Sequence, residues 1–597
     1  AGSLVLFLLG ITKIDPIEYG LSFDRFLNHH RKEMPDVDID IESERREEVI
    51  DYAVERWKAT PIATYSRYSH KSLTHDLCRH FRVPRTKSQI AADNGVDSDE
   101  FNEIAANNPG FSQAYDSMIG QIRHIGKHAG GVVIVDDDTL IPLERTSGGE
   151  NQVAAWTEGE HRELSRVGIV KYDLLGLTSG SVLSRLEDKL NVKAEDPEDG
   201  SPVFNIFKTG NLTGIFQFSG SQGIIDFTRK VSPNTFEDLV AINALYRPGA
   251  LDAGTAMNYP DYRKNPRKIH PIVDPILEST YGIICYQEQF MQIFAKITDR
   301  SMAEADLARK VIAKARPGQK EWETKYSELK SMFFKGAESH GMDTDTANKI
   351  WNEINTHTRY SFNRAHAVSY SRIAWEMAWF KYYYPVEFYA ALLSVDRNSW
   401  EQVMFDIAMD DIEIVPPHVN FSTDEFLAID GKIHLPLTVV SGLGQVGVRT
   451  IMSEAPFKSG ADFLSRVPKR SCNSRIRKNL FALGAFDGIT DNHNHLDINA
   501  PLKFENDHLL QEHCMSVTIP NKAILNEISE AKKLGMICGI ISEVQKREST
   551  YGVYKVYKLL PEGAVWSRDY NLEKGDLVRL SFSKNSGKIT RCERIKL

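Results

Sequence analysis

The sequence predicts an α+β multidomain protein, and three observations carry that reading. The chain has 597 residues with 42% hydrophobic content, enough to bury several cores in roughly three to five domains. Short β-rich stretches near residues 36–41, 130–135 and 168–175 are separated by polar, helix-patterned sequence, as if the chain leaves a sheet and returns to it. The long middle section, residues 178–411, is mostly helical and rich in aromatics, whereas residues 534–597 alternate apolar and polar side chains over several short strands.

Taken in order, the segment "MPDVDIDIESERREEVIDYAVERW" opens as a strand and continues as an amphipathic helix. Val37 and Ile39 point to one face of the strand and Asp36, Asp38 and Asp40 to the other, because successive side chains alternate. Ser43 is placed to cap the helix, and Val49, Ile50, Ala53 and Trp57 recur at helical spacing. Residues 60–128 read as a polar, helical inserted subdomain. The strands "GGVVIV" and "GIVKYDLL" follow, and in the second Lys171 and Asp173 share a face opposite Val170 and Tyr172. "VVSGLGQVGVRTI" reads as two helices joined by a Gly-Leu-Gly turn, and the C-terminal alternation predicts a small barrel.

Composition excludes several classes. Six scattered cysteines with no CxxC pair argue against a zinc ribbon or a disulfide framework and fit a reducing, cytoplasmic setting. The most apolar run, "SLVLFLLGI", is too short to span a bilayer, so no membrane role is expected. A net charge of −9 argues against a simple basic nucleic-acid binder, although acids gathered around metal and bases along a channel give the same total. His70, His75 and His80 are five residues apart, each turned about 140° from the last on a helix, so no zinc site is assigned.

Three like charges on one strand face repel unless something positive sits there or the face meets water. Asp36, Asp38 and Asp173 together match the carboxylates of a two-metal phosphoryl-transfer site, since Mg²⁺ is a hard cation that takes carboxylate oxygens. Spacing alone leaves a second reading open, an exposed strand face or acids favouring the next helix N-terminus, and Asp40 suits that reading best.

In chain order, "YGLSFDRFLN", "MPDVDIDIE", "GKHAGGVVIV", "VGIVKYDLLGL", "FEDLVAINALYRPGAL", "TYGIICYQEQFMQI" and "SFNRAHAVSY" resemble the bacterial replicative DNA polymerase III alpha subunits, the C family of polymerases. The resemblance implies a nucleotidyltransferase-like mixed β palm, helical thumb and fingers, a helix-hairpin-helix region and an OB-type β-barrel. The implied order is palm 1–60, thumb 61–127, palm 128–178, fingers 179–411, helix-hairpin-helix 412–490, linker 491–533 and OB-type domain 534–597.

The same resemblance implies roles. Asp36, Asp38 and Asp173 become the metal-binding acids, holding two Mg²⁺ ions, with Lys171 beside them as a cation for the incoming triphosphate. Gly2 and Ser3 match the end of a phosphate-binding loop. Tyr360 and His366 flank the base and sugar, Asn363 and Arg364 orient phosphate, and Arg309, Lys310 and Lys314 face the triphosphate. Lys310 stands where the family has a second arginine, and lysine lacks its planar fork. Gly442, Gly444 and Arg449 are the implied DNA-binding residues of the hairpin, supported by the basic run "KRSCNSRIRK". In the barrel, Tyr551, Tyr554, Lys555, Tyr557 and Lys558 combine stacking groups with cations, as single-strand binding requires.

The sequence departs from the family at Phe216-Gln217-Phe218-Ser219-Gly220, which loses an acid; a divergent member, phage-encoded for instance, accounts for such drift. The expected activity is template-directed DNA synthesis on a primer–template from deoxynucleoside triphosphates. A sliding clamp and a separate N-terminal polymerase fragment are expected as further partners, because the chain opens on Ala1 inside an apolar segment and matches no N-terminal hydrolase-like domain. Two alternatives stay open: a catalytically impaired DNA-binding relative or fragment, and a metal-dependent nuclease.

Overall fold

The computed structural model describes residues 2–23, 37–135, 143–147, 152–154, 169–247, 251, 254–314, 320–358 and 361–489. Of the C-terminal part it describes residues 515, 527, 537–549, 552–560, 564–567, 570, 572, 577–582 and 589–595. Asp36, Tyr360 and Tyr551 lie outside these residues, as do the side chains of Lys314, Tyr554 and Lys558.

A six-stranded mixed sheet gathers the first part of the chain. Its strands are β1 (Val37–Glu42), β2 (Thr60–Arg67), β3 (Ile122–Val133), β4 (Leu143–Arg145), β5 (Gln152–Ala154) and β6 (Lys171–Leu177), in the order β1-β6-β3-β2-β5-β4. β1 runs parallel to β6, and β3 runs antiparallel to both β6 and β2. The apolar face of β1 and β6, with Ile39, Ile41, Tyr172 and Leu174, packs with Val132 against Ile50 and Ala53 of the helix Arg46–Trp57. That leaves the acidic face of β1 directed away from this core.

The expected helix N-cap is displaced. Arg45 occupies the capping position without a side-chain bond, while the Ser43 hydroxyl lies 3.0 Å from that of Ser181 on the helix Thr178–Leu190. Val49 and Trp57 of the predicted apolar stripe are exposed, so Ile50 and Ala53 do the packing. Thr60–Arg67, expected to open the helical insertion, is a strand instead, paired along its length with β3. Its alternation of small and β-branched residues suits a sheet that is buried on one side. The insertion proper is four helices, His70–His80, Arg85–Asn94, Asp99–Asn107 and Phe111–Met118, closed around Leu73, Leu77, Phe101, Ile104 and Phe111.

Helices fill residues 178–409. The helix Arg364–Tyr383 runs through the largest core with Ala367, Val368, Trp375 and Phe380 fully or almost fully buried. A second core joins the helices Gln287–Thr298, Met302–Lys314, Lys320–Ser339 and Thr344–His357 around Phe290, Phe294, Phe333 and Trp351. Among the described residues no helix is long and apolar enough to cross a membrane.

Further on, β7 (Ile414–Val415), β8 (Leu427–Ile429) and β9 (Lys432–His434) form a small sheet ahead of the hairpin region. The first of the two predicted hairpin helices is only a single 3₁₀ turn, Leu437–Val439; Pro436 precedes it, and the β-branched Thr438, Val439 and Val440 disfavour a longer helix. At the C-terminal end, β10 (Ile537–Ser549), β11 (Gly552–Leu560), β12 (Ala564–Ser567), β13 (Leu577–Phe582) and β14 (Ile589–Arg594) make an antiparallel sheet in the order β12-β11-β10-β13-β14. Among the described residues no ladder joins β12 to β14, so no closed barrel is seen there. Tyr557, read from sequence as an exposed stacking group, is instead buried in the core of this sheet, its hydroxyl donating to the Tyr570 carbonyl at 2.5 Å.

Candidate active site

Asp38 and Asp173, 135 residues apart in sequence, are direct partners in the parallel β1–β6 ladder. Paired residues in a sheet share a face and stand about 4.8 Å apart at the backbone, so both carboxylates issue from one patch. Lys171 projects to that face two residues earlier, and its Nζ lies 2.8 Å from Asp173 Oδ2. The other oxygen, Asp173 Oδ1, is buried and among the described residues has no hydrogen-bond partner. A buried anionic oxygen left unmet is costly, and its natural complement is a cation.

Two glycines let β3 close against this site. A Cβ at Gly130 would stand 2.3 Å from the Leu174 carbonyl oxygen, and one at Gly131 would stand 2.7 Å from His128 Nδ1 and 3.1 Å from Asp173 Oδ1. His128 folds back beneath the strand, where Nδ1 accepts the Gly131 N–H at 2.6 Å. The "GKHAGG" run is therefore a tight backing for Asp173. Among the described residues no group of three or more acid, histidine or cysteine side chains forms a metal cluster; Asp36, the third predicted ligand, lies outside them.

Opposite the acidic face stands the helix Arg364–Tyr383. The Tyr370 hydroxyl faces the Asp40 carboxylate, and burial together with the Asp40 and Asp38 charges pushes its pKa up to about 12. Desolvation against the helix raises the Asp40 pKa, and the interaction with Tyr370 opposes it. The Tyr370 ring meets His366 at a centroid distance of 3.9 Å and Phe216 at 4.9 Å, and His366 meets Phe362 at 5.1 Å. Burial, aided by the nearby Arg247 charge, brings the His366 pKa down to about 4, so the ring is a neutral, flat surface at physiological pH. The Arg247 guanidinium covers the Phe362 ring at 3.6 Å.

Two distant motifs form one scaffold beneath these rings. Tyr286 and Phe362 pair as a short parallel bridge, and the Gln287 N–H donates to the Phe362 carbonyl at 2.9 Å. Asn363 caps its helix by accepting the His366 N–H at 2.8 Å, and the Glu288 carboxylate accepts the Arg364 N–H at 3.0 Å. Asn363 is thus an anchor for His366.

The predicted cations are differently placed. Arg364 pairs with Glu237 at 2.6 Å and donates to the Tyr19 carbonyl. Arg309 is 8% exposed and pairs with Asp306, one turn before it, at 3.0 Å. Lys310 is partly exposed on the same helix. Gly2 is buried and Ser3 caps the short helix Leu4–Leu8 through a bond from the Leu6 N–H at 3.4 Å. The structure therefore brings together Asp38, Asp173 and Lys171 on the sheet, and Asn363 and His366 on the helix. Sequence reasoning missed Tyr370, Arg247 and the glycine backing. Tyr370 follows His366 by four residues, the spacing that places two side chains on one helix face, and that signal was available.

Family models match the chain in three blocks: the bacterial DNA polymerase III alpha NTPase domain over residues 1–176, the bacterial DNA polymerase III alpha subunit finger domain over 181–341, and a helix-hairpin-helix motif over 411–496. A DNA polymerase III subunit alpha from Staphylococcus epidermidis is 34% identical over 521 residues, and one from Staphylococcus aureus is 34% identical over 523. Each match covers 82% of this chain and 48% of the relative, so the chain spans about half the length of the curated relatives it matches. The chain belongs to the bacterial DNA polymerase III alpha family.

The matched hairpin region leaves its turn open to close approach. Gly442 has a φ of +86°, a left-handed conformation that favours glycine, and a Cβ on Gly444 would meet nothing within 4 Å. Gly444 leads directly into the helix Gln445–Glu454, on which Arg449 is exposed. The turn is held from behind by Asn479, whose side-chain amide donates to the Ser441 carbonyl at 3.1 Å. Arg477 of the basic run is buried, its guanidinium donating to the Cys472 and Val467 carbonyls at 2.8 Å, so it braces the second turn.

Proposed function

We propose that this chain is a template-directed DNA polymerase of replication, adding deoxynucleotides to a primer 3′ end with two Mg²⁺ ions. The observation that carries the proposal is the pairing of Asp38 with Asp173 on one sheet face, with Lys171 bound to one oxygen of Asp173 and the other oxygen unmet among the described residues. The donor set suits Mg²⁺, a hard cation that favours carboxylate oxygen. Asp38 and Asp173, with Asp36, would hold the ions, which when bound lower the cost of deprotonating the primer hydroxyl and of charge developing on the leaving pyrophosphate.

The chain's own residues supply alignment. Lys171 steadies Asp173 and adds positive charge where the triphosphate enters. The neutral ring of His366, held by Asn363 below and Tyr370 beside it, offers a surface for the nucleotide's sugar and base. Gly442, Gly444 and Arg449 would grip a duplex phosphate without reading sequence. Strand order β12-β11-β10-β13-β14 is that of a five-stranded Greek-key barrel opened between its third and fifth strands, which supports an OB-type role for the C-terminal sheet. A cytoplasmic setting, primer–template DNA and deoxynucleoside triphosphates belong to the same proposal.

Primer extension with Mg²⁺ tests it. Extension that disappears in Asp38→Asn and in Asp173→Asn supports the polymerase. Shortening of the primer would instead indicate a nuclease, and DNA binding with neither reaction a non-catalytic relative.

A further inference from the structure

The cations around the proposed nucleotide site differ in what they already hold. Arg364 is taken up by Glu237 and the Tyr19 carbonyl, Arg309 by Asp306, and Lys171 by Asp173. Arg247 is the exception in kind. It follows the helix Phe236–Leu245, is half-buried, and among the described residues its guanidinium has no ion pair and no hydrogen bond, only the Phe362 ring 3.6 Å beneath it. A guanidinium carries five donors in a planar fork, and the ring face satisfies none of them. Ring attraction offsets only part of the cost of drawing such a group out of water. Burial accordingly lowers the Arg247 pKa, a sign that the charge lacks a counter-ion.

Its position says what that counter-ion is. From Arg247 the contacts run to Phe362, then His366, then Tyr370, and end on Asp40 of β1, two residues past Asp38. The Tyr370 hydroxyl feels both the Asp38 charge and the Arg247 charge, so the guanidinium and the acidic face flank one small region. An occupant of that region must present negative charge to Arg247 at one end and suit a metal-bearing acid pair at the other. A nucleoside triphosphate does both. A duplex backbone is the poorer fit, because cations that hold a backbone stand out in solvent, as Arg449 does, rather than under an aromatic row.

We propose that Arg247 binds a phosphate of the incoming deoxynucleoside triphosphate, docking it on the Phe362–His366–Tyr370 row. The assignment rests on the polymerase reading of the site. It also gives the row a purpose: the rings hold the guanidinium by its face and leave its edge, with the N–H donors, directed to the ligand.

The test uses the full chain bound to a primer–template ending in a dideoxynucleotide, with Mg²⁺ and a deoxynucleoside triphosphate titrated to equilibrium. Arg247→Met, which keeps bulk over Phe362 but removes the charge, is expected to weaken nucleotide binding roughly tenfold to a hundredfold, with primer–template affinity and melting temperature unchanged. Arg247→Lys is expected to fall between, and supplies the comparison should the methionine variant fold poorly. Across triphosphate, diphosphate and monophosphate the penalty in Arg247→Met should shrink. In extension kinetics the loss should appear in KM, with kcat within a few-fold of wild type. Weakened primer–template affinity with nucleotide affinity intact would assign Arg247 to the DNA and overturn the proposal. No change in either would make it a stacking residue and overturn it equally. Wild-type chain that binds nucleotide through Arg247 yet extends nothing would remove the polymerase reading and leave the Arg247 assignment standing.

Discussion

The Tyr370 hydroxyl faces the Asp40 carboxylate, and its interaction with that acid ties the middle of the alternating strand to the helix facing it. Asp40 is thereby separated in role from Asp38, which pairs with Asp173 in the ladder. Tyr370→Phe and Asp40→Ala should each lower extension about tenfold, and the double variant should lose little more than either alone. A double-mutant cycle on kcat/KM checks this: coupling of about 1 kcal/mol is expected, and additive losses would show that the two groups act independently.

Asp173 Oδ1 is buried beside the Lys171 ion pair and has no partner among the described residues, so a bound divalent ion should stabilise the fold. Millimolar Mg²⁺ is expected to raise the melting temperature of the wild-type chain and to leave that of Asp173→Asn unchanged. Extension by Asp173→Asn should fall on the order of a thousandfold, the scale of losing an electrostatic element of transition-state stabilisation. Equal Mg²⁺ responses in the two proteins would contradict this.

Gly131→Ala would bring a methyl group 2.7 Å from His128 Nδ1 and 3.1 Å from Asp173 Oδ1, shifting the carboxylate without removing it. The expected result is a folded protein whose Mg²⁺ requirement rises several-fold. His128→Ala in the same background should restore part of the loss by opening the space.

The pKa values of His357 and His366 both fall to about 4, chiefly through burial, against about 6.5 in an unfolded chain. The unfolded state therefore binds more protons between these limits, and the stability these neutral rings contribute is complete above pH 6.5 and is lost as pH falls toward 4. Melting temperatures measured from pH 8 to pH 5 should decline below about 6.5, and His357→Gln should flatten that decline by roughly a degree or two at pH 5. No step from His366 is expected in the activity profile between pH 6 and 8.

Arg449 stands exposed on the helix entered through Gly444. Arg449→Ala should weaken duplex binding to about the same degree for all sequences and reduce the slope of log affinity against log salt by about one. Fluorescence anisotropy over a range of salt concentrations measures both, and a sequence-dependent loss would contradict a backbone contact.

How far the sequence carried this reading differs from one part to another. That Lys171 and Asp173 share a face was legible because strand alternation fixes it, whereas the register that pairs Asp38 with Asp173 was not, since alternation within a strand does not say which strands pair. The fate of the arginines was not, since charge and motif say nothing of whether Asp306 or Glu237 already stands beside them. Ser43 shows the limit of local rules: a good capping residue was taken instead by Ser181 from another element. Tyr557 shows the same for alternation, because a tyrosine in a strand suits a core as well as a binding face. The hairpin turn was found through Gly442 and Gly444, but the helix before it shrank to one 3₁₀ turn under β-branched residues.

Arg185 forks between two carboxylates, holding Glu44 just after β1 at 2.7 Å and Glu425 ahead of the hairpin region, also at 2.7 Å. One guanidinium thus links the end of the strand bearing Asp38 to the segment leading to Gly442. If the hairpin holds product duplex, that clamp turns the protein into a gauge of constant length. Advance by one base pair must then come from DNA slipping through the grip, not from the grip swinging toward the acids.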